Sequence, residues 1–354
     1  MSNILLFSRC MGSGGTEKII LQLANAYRSA GHRVYVLAED GPAAKKLPEL
    51  GVELFPIPDM ESKSLKVVSE IMSTLRRILV EKDIDVVHTH HRMAAFYARL
   101  LRPFHKFVFL NDIHYQFSDK RLLTRFAMGK AVNIAVGEAV RKNLTENYGL
   151  TGVRVIYNAV ETPKRPDQED PAMARLHEQG RFVVVNIGRV APGKGFASFV
   201  RAAALLKDKP ISFVIVGDGA EMGQTRALAK ELDAPVTFLG YRLDVAELIF
   251  QSDLAVLSSE SEGLPMVPLE VFSAGKTIVA TAVPGTMDVV LDGENGMLVP
   301  VGEPEAIAKA VRRLYDDREL LHTLEAGARK TFAEQFSIQV FRQKYLALLE
   351  EVTK

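Results

Sequence analysis

Short Val/Ile-rich runs separated by amphipathic stretches recur from one end of this chain to the other, and that rhythm narrows the fold more than any other feature. In the first half the runs are NILLFS, VYVLAE, LFPI, DVVHTH, KFVFLN, VNIAVG and RVIYNAV. In the second half they are FVVVNIGRV, SFVIVGDG, VTFLG, DLAVLSS, TIVAT and GMLVP. They are nearly continuous rather than alternating, the pattern of strands buried on both faces. Between them lie helical periods. In TEKIILQLANAYRSAG the apolar set Ile19, Ile20, Leu23, Ala24 and Tyr27 forms one stripe, and Gly31 supplies a C-terminal stop. Repeated strand–helix alternation builds parallel sheets with right-handed crossovers, hence doubly wound α/β domains.

At 354 residues the chain exceeds one ordinary core and fits two. Proline and charge replace periodicity over residues 158–174 (NAVETPKRPDQEDPAMA), which places the domains at about 1–164 and 165–336. The last amphipathic stretch, about 337–354, has a periodicity that selects neither domain; a return onto the first is one arrangement. Two such domains leave a cleft between them, and ligands of open α/β sheets sit beyond the carboxyl ends of the strands.

Composition excludes several classes. The single cysteine, Cys10, rules out a disulfide framework and agrees with a reducing cytoplasm. MSNILLFSRC lacks the apolar core of a signal peptide, and no run approaches the roughly 18 apolar residues of a membrane span. A formal charge of +1 conceals an asymmetry: residues 1–164 carry 23 basic against 16 acidic side chains, and the remainder 21 against 27. Residues 92–142 alone hold ten basic and three acidic side chains. In that segment RLLRPFHKF and DKRLLTRF mix cations with Leu and Phe. A solvated helical face accounts for this pattern, and so does docking on an anionic membrane surface. Nucleic acid is not an expected partner, because the rest of the chain is acidic and no recognition motif occurs.

The strand-end loops carry the chemistry. The first strand runs into GSGGTEK, where Gly12, Gly14 and Gly15 let a backbone approach a ligand at a helix start, without the spacing of a dinucleotide or Walker loop. The second half opens with GRVAPGKG. A helix start near Lys194 lets Arg189 and Lys194 flank it and clamp a diphosphate. DLAVLSS then leads into ESEGLPMVPLE, with the next helix starting between Leu264 and Pro268. That places Glu262 in the loop and Glu270 in the first helical turn, with the backbone N–H groups of Gly263, Leu264 and Met266 between them and Pro265 as punctuation. A nucleotide-sugar matches these groups: its diols want carboxylates, and its phosphates want N–H donors and cations.

GRVAPGKG, VGDG at 216–219 and EGLPMVPLEVFSAGK together resemble the retaining glycosyltransferases of family 4, which have the two-domain GT-B fold and an E-x7-E signature. GGTEK stands where that family usually has GGAER, VIYNAVE matches its interdomain strand, and FLGYRLDV matches its loop near the base. The resemblance covers nearly the whole chain. It implies α/β GT-B architecture, two Rossmann-like domains facing across a cleft. By position it implies that Glu262 meets the hexose, Glu270 the ribose, and Arg189 and Lys194 the diphosphate. Gly188, Gly217, Tyr241 and Arg242 would line the donor, and Gly14 and Gly15 would close on its phosphate side. It also implies a histidine touching the donor sugar; FLNDIHY puts His114 there, followed by Tyr115 where Ser, Asn or Asp is usual. In VGEAVRKNL, Gly137 replaces a more usual Ser.

The activity so implied is transfer of a hexose from a nucleoside-diphosphate sugar, UDP-linked, to a glycan or lipid-linked acceptor. No cofactor and no metal are expected, and the location is the cytoplasm or the inner face of its membrane. Epimerisation or hydrolysis of the nucleotide-sugar, or binding without turnover, shares the same motifs. HTHH at 88–91 invites a metal reading, but no cysteine and no suitably spaced carboxylate joins it, so no metal site is expected there. Asp83 and Asp85, in DID, precede a strand and read as turn acids.

Overall fold

The computed structural model describes residues 1–12, 14–62 and 64–354. It divides into two compact units, Met1–Asn158 with Ile338–Lys354, and Ala159–Ser337. Each is an α/β unit around a parallel sheet, as the alternation of apolar runs predicts.

In the first unit the strands are β1 (Asn3–Cys10), β2 (Arg33–Glu39), β3 (Glu53–Pro56), β4 (Val86–Thr89), β5 (Val108–Ile113), β6 (Val132–Ala135) and β7 (Arg154–Val155), ordered β3-β2-β1-β4-β5-β6-β7. Ile4 pairs with Val34 on one side and Val86 on the other, and Ile4, Leu5, Leu6 and Phe7 are completely buried. This is why NILLFS shows no alternation: both faces of a central strand are covered. Helix Gly15–Ser29 buries the expected stripe with Ala26 added, and Gly31, at φ 87°, turns the chain away from it. Helix Ile338–Thr353 packs on helix Gly15–Ser29, burying Phe341, Tyr345, Leu348 and Leu349. Of the run RVIYNAV, Arg154 and Val155 pair with Ile134 and Ala135 of β6, and Val160 makes an isolated bridge to Ser337.

In the second unit the strands are β8 (Phe182–Ile187), β9 (Ile211–Val216), β10 (Val236–Gly240), β11 (Leu254–Leu257), β12 (Ile278–Thr281) and β13 (Met297–Val299), ordered β10-β9-β8-β11-β12-β13. Phe199, Val200, Phe213, Ile215, Val311 and Leu314 anchor its core. Burying one such side chain contributes about 1.5–3 kcal/mol. The core therefore holds the sheet, and the loops at its carboxyl edge are left to other work. Among the described residues no helix is long and apolar enough to cross a membrane.

Strand order reverses between β1 and β4 in the first sheet and between β8 and β11 in the second. Open parallel sheets bind ligands at such switch points, beyond the carboxyl ends of the strands. The loops GSGGTEK and GRVAPGKG leave β1 and β8, so each lies at the switch point of its own sheet.

Candidate functional site

In the second unit three strand-end loops are tied together by backbone. Gly188 N–H donates to Val216 O at 3.0 Å, and Val190 N–H donates to Asp218 O at 3.0 Å, so the β8 and β9 loops run side by side. Glu260 N–H donates to Gly193 O at 2.8 Å, and Ser258 Oγ donates to Lys194 O at 3.2 Å, which joins the β11 loop. Two glycines make this approach possible. A Cβ on Gly217 (φ 143°) would sit 1.8 Å from Gly188 O, and one on Gly195 (φ 67°) would sit 1.9 Å from Ser258 O. Side chains other than hydrogen are excluded at both.

This weave brings Lys194 and Glu262 into one ion pair, Nζ to Oε1 at 2.7 Å, with the Glu262 side chain only 12% exposed. Sequence reasoning assigned them to different parts of a donor; here each holds the other. Arg189 is exposed and has no acidic partner among the described residues. The helix after GRVAPGKG is Phe196–Leu205, with left-handed Gly195 as its cap, so Lys194 stands two residues before it. Gly263 packs beside Gly285, where a Cβ would meet Gly263 O at 2.2 Å.

One placement differs from the sequence reading, the turn that holds Glu270. Pro265 is extended (φ −69°, ψ 133°) and the helix starts at Met266, running Met266–Ser273. Glu270 is thus its fifth residue, in the second turn and not the first. Arg242 has its guanidinium committed to Asp244 and to Asp170 Oδ2, the latter at 2.8 Å. These carboxylates push Arg242 further above its usual range. Burial alone would raise the Asp170 carboxyl, but Arg242 and the N–H groups of Ala172 and Met173 bring it below the usual carboxylate range. Tyr241 is exposed, and the Gly240 carbonyl accepts Gly217 N–H at 2.7 Å.

In the first unit Gly14 caps helix Gly15–Ser29, and Glu17 folds back over it: a Cβ on Gly14 would meet Glu17 Oε2 at 2.6 Å. A carboxylate of the chain thus already complements this helix start. Ser13, inside the glycine loop, lies outside the described residues. His114 follows β5, stacks on His90 and places its Nε2 3.3 Å from His90 Nδ1. Burial lowers its pKa, which favours the neutral ring.

The surroundings of His114 correct the expectation that no carboxylate joins HTHH. A carboxylate does join it, from the adjacent strand: His88 Nε2 is 2.9 Å from Asp112 Oδ1, and His90 Nδ1 is 3.5 Å from Asp112 Oδ2. Asp112 lies 24 residues along the chain from His88, and only the β4–β5 register brings them together. Burial would raise the Asp112 carboxyl, yet the surrounding imidazoles hold it down to about 2. The fourth member, His91, turns away and caps helix Arg92–Leu101, accepting Met93 N–H. Asp85 accepts Asn3 N–H at 2.8 Å and Asp83 sits in a left-handed turn, as turn acids do.

Comparison with known proteins agrees with this architecture. The family model described as glycosyltransferase family 4 matches residues 13–164, and that of glycosyl transferases group 1 matches residues 168–331. The lipopolysaccharide core biosynthesis glycosyltransferase LpsE of Rhizobium meliloti is 32% identical over 169 residues, 47% of this chain and 49% of that protein. The matches to the first curated relatives span about half of those proteins' lengths. A glycosyltransferase structure from Rickettsia africae superposes with TM-score 0.89 at 20% identity, covering 100% of this chain and 99% of that one. HepE of Anabaena, solved in complex with UDP, superposes with TM-score 0.83 at 22% identity, covering 99% and 100%. With matches to both halves and this fold, the chain belongs to glycosyltransferase family 4 and has the GT-B fold.

Proposed function

We propose that the protein moves a hexose from a nucleoside-diphosphate sugar to a hydroxyl of a glycan or lipid-linked acceptor, with retention at the anomeric carbon. The observation that carries the reading is the Lys194–Glu262 pair, on the loop that also carries exposed Arg189. A buried-edge carboxylate suits a sugar diol, and two cations at a helix start suit a diphosphate, each charge-assisted bond being worth about 1.5–3 kcal/mol. UDP, the ligand of the Anabaena HepE structure, supplies such a diphosphate. Glu270 is read as the ribose contact, and His114 in the first unit as the group that meets the hexose. Arg242 serves the base loop by bracing it, its guanidinium already held by two carboxylates.

In the transfer, the bond from C1 to the phosphate oxygen breaks while the acceptor oxygen bonds C1 on the same face. The acceptor's proton passes to the departing phosphate oxygen. This route needs no enzymic nucleophile and no metal at the diphosphate, since Arg189, Lys194 and backbone N–H groups stabilise the leaving charge. Incubation with a panel of nucleoside-diphosphate sugars, with and without acceptor, tests the proposal. The expected result is stabilisation against heat by one nucleoside diphosphate and acceptor-dependent release of it. Turnover without acceptor would instead identify a hydrolase or epimerase, and binding without turnover a sensor.

We also read residues 92–142 as a membrane-docking face. On helix Arg121–Met128, buried Thr124, Ala127 and Met128 leave Arg121, Leu122, Arg125 and Phe126 outward, with Leu122 82% exposed. Phe104 is 79% exposed between Arg102 and Lys106. Cations interleaved with exposed apolar side chains fit an anionic lipid surface, each Lys or Arg near it contributing about 1 kcal/mol. Vesicles containing anionic lipid should sediment the protein at low salt and release it at high salt. No binding at low salt would remove this docking role.

A further inference from the structure

The buried cluster behind His114 has an imbalance that its neighbours lack. Residues 88 and 90 project from one face of β4 and its exit, and residue 112 of β5 lies on the same face because His88 pairs with Leu110 in register. On the opposite face Thr89 Oγ1 donates to Asn111, Asn111 Nδ2 to Asn133, and Asn133 Nδ2 to backbone carbonyls, so that polar chain closes on itself. On the histidine face His90 Nε2 is buried with no hydrogen-bond partner among the described residues, while His88 Nε2 and Asp112 Oδ1 meet only each other, 2.9 Å apart. His88, His90 and Asp112 are 0%, 3% and 2% exposed.

Every other polar atom of the three side chains is engaged. His88 Nδ1 lies 3.3 Å from Tyr27 OH, His90 Nδ1 lies 3.3 Å from His114 Nε2, and Asp112 Oδ2 accepts Tyr345 OH at 2.8 Å. Metal-binding histidines show this division, one ring nitrogen on the ion and the other on an outer partner. One ligand atom from each of the three residues lies within 4.8 Å of the others. The Asp112 carboxylate beside His90 Nδ1 sets that ring as Nδ1–H, which leaves its Nε2 with a lone pair. A cation in place of the proton shared by His88 Nε2 and Asp112 Oδ1 would take both of those atoms together with His90 Nε2. His88 Nε2 and Asp112 Oδ1, 2.9 Å apart, would open to about 3.4 Å around a tetrahedral ion that held each at about 2.0–2.2 Å.

We propose that His88 Nε2, His90 Nε2 and Asp112 Oδ1 bind a divalent transition-metal cation of the zinc class, as a structural centre of the first unit. Two imidazoles and a carboxylate are borderline donors that favour zinc over magnesium or calcium. The ion would fix the edges of β4 and β5 and, through His90, the ring of His114. The proposal is independent of the transfer reading, since neither donor binding nor turnover enters its test.

Tag-free protein is assayed for metal by mass spectrometry, stripped with a chelator, and titrated with Zn2+ alone while its melting is followed. The expected result is about one zinc per chain, a melting temperature lowered by stripping and restored by Zn2+. His88→Gln and Asp112→Asn should each weaken zinc binding at least about 100-fold. Stripped wild-type protein that takes up no zinc and melts unchanged overturns the proposal, whether or not the variants fold. Zinc bound with undiminished affinity by both folded variants overturns it as well.

Discussion

Replacing Glu262 by alanine is expected to lower kcat by about 100- to 1,000-fold while nucleoside diphosphate still binds as tightly as before, or more tightly. The loss follows from removing a carboxylate read as gripping the hexose at the moment its anomeric carbon gains charge, where one well-placed polar group is worth about 2.7–4 kcal/mol. The retained nucleotide affinity follows from the ion pair. Lys194 Nζ is held by Glu262 Oε1 at 2.7 Å, so diphosphate must compete with that carboxylate for it. Without Glu262 the cation is free from the outset. Steady-state kinetics beside nucleoside diphosphate titration by calorimetry measure the two effects separately. Collapse of nucleotide affinity with near-normal turnover would show that Glu262 serves the nucleotide and not the sugar. Lys194→Met should do the reverse, weakening nucleotide binding as well as turnover.

A second large effect is expected at a residue with no reactive group. Gly195→Ala would place a Cβ 1.9 Å from Ser258 O, at φ 67° where non-glycine residues are already strained. Strain plus a backbone clash costs about 3 kcal/mol or more. For a unit of this size each kcal/mol lowers Tm by roughly 2–4 °C, so calorimetry should find the transition of Ala159–Ser337 depressed by roughly 6–12 °C. The melting of Met1–Asn158 with Ile338–Lys354 should be far less affected, since Gly195 belongs to the second unit. A variant as stable as the parent would mean that the β8 and β11 loops separate freely, and the Lys194–Glu262 pair would lose its stated cause.

The fold was legible to an unusual degree because parallel strands announce themselves locally. A strand covered on both faces must be apolar at successive positions, as FVVVNI and ISFVIV are, and the loops between such runs follow by subtraction. The motif loops were legible for a related reason. Gly188, Gly195 and Gly217 are demanded by backbone geometry at fixed chain positions, and Arg189, Lys194 and Glu262 ride on the same loops.

What remained hidden depended on pairing between distant segments. The sequence left the helix start open between Leu264 and Pro268; the start at Met266 carried Glu270 into the second turn, because caps are decided by individual dihedrals such as those of Pro265. The tie from Arg242 to Asp170, 72 residues away, could not be read from the loop FLGYRLDV.

By itself, then, the sequence determined two doubly wound parallel sheets and the loops that carry their chemistry, since buried strands and tight glycine turns are written in consecutive residues. Only the tertiary structure decided that Lys194 neutralises Glu262 and that Asp112 faces His88 and His90. Those contacts depend on strand order and register, which are set by packing across the sheet and leave no local trace.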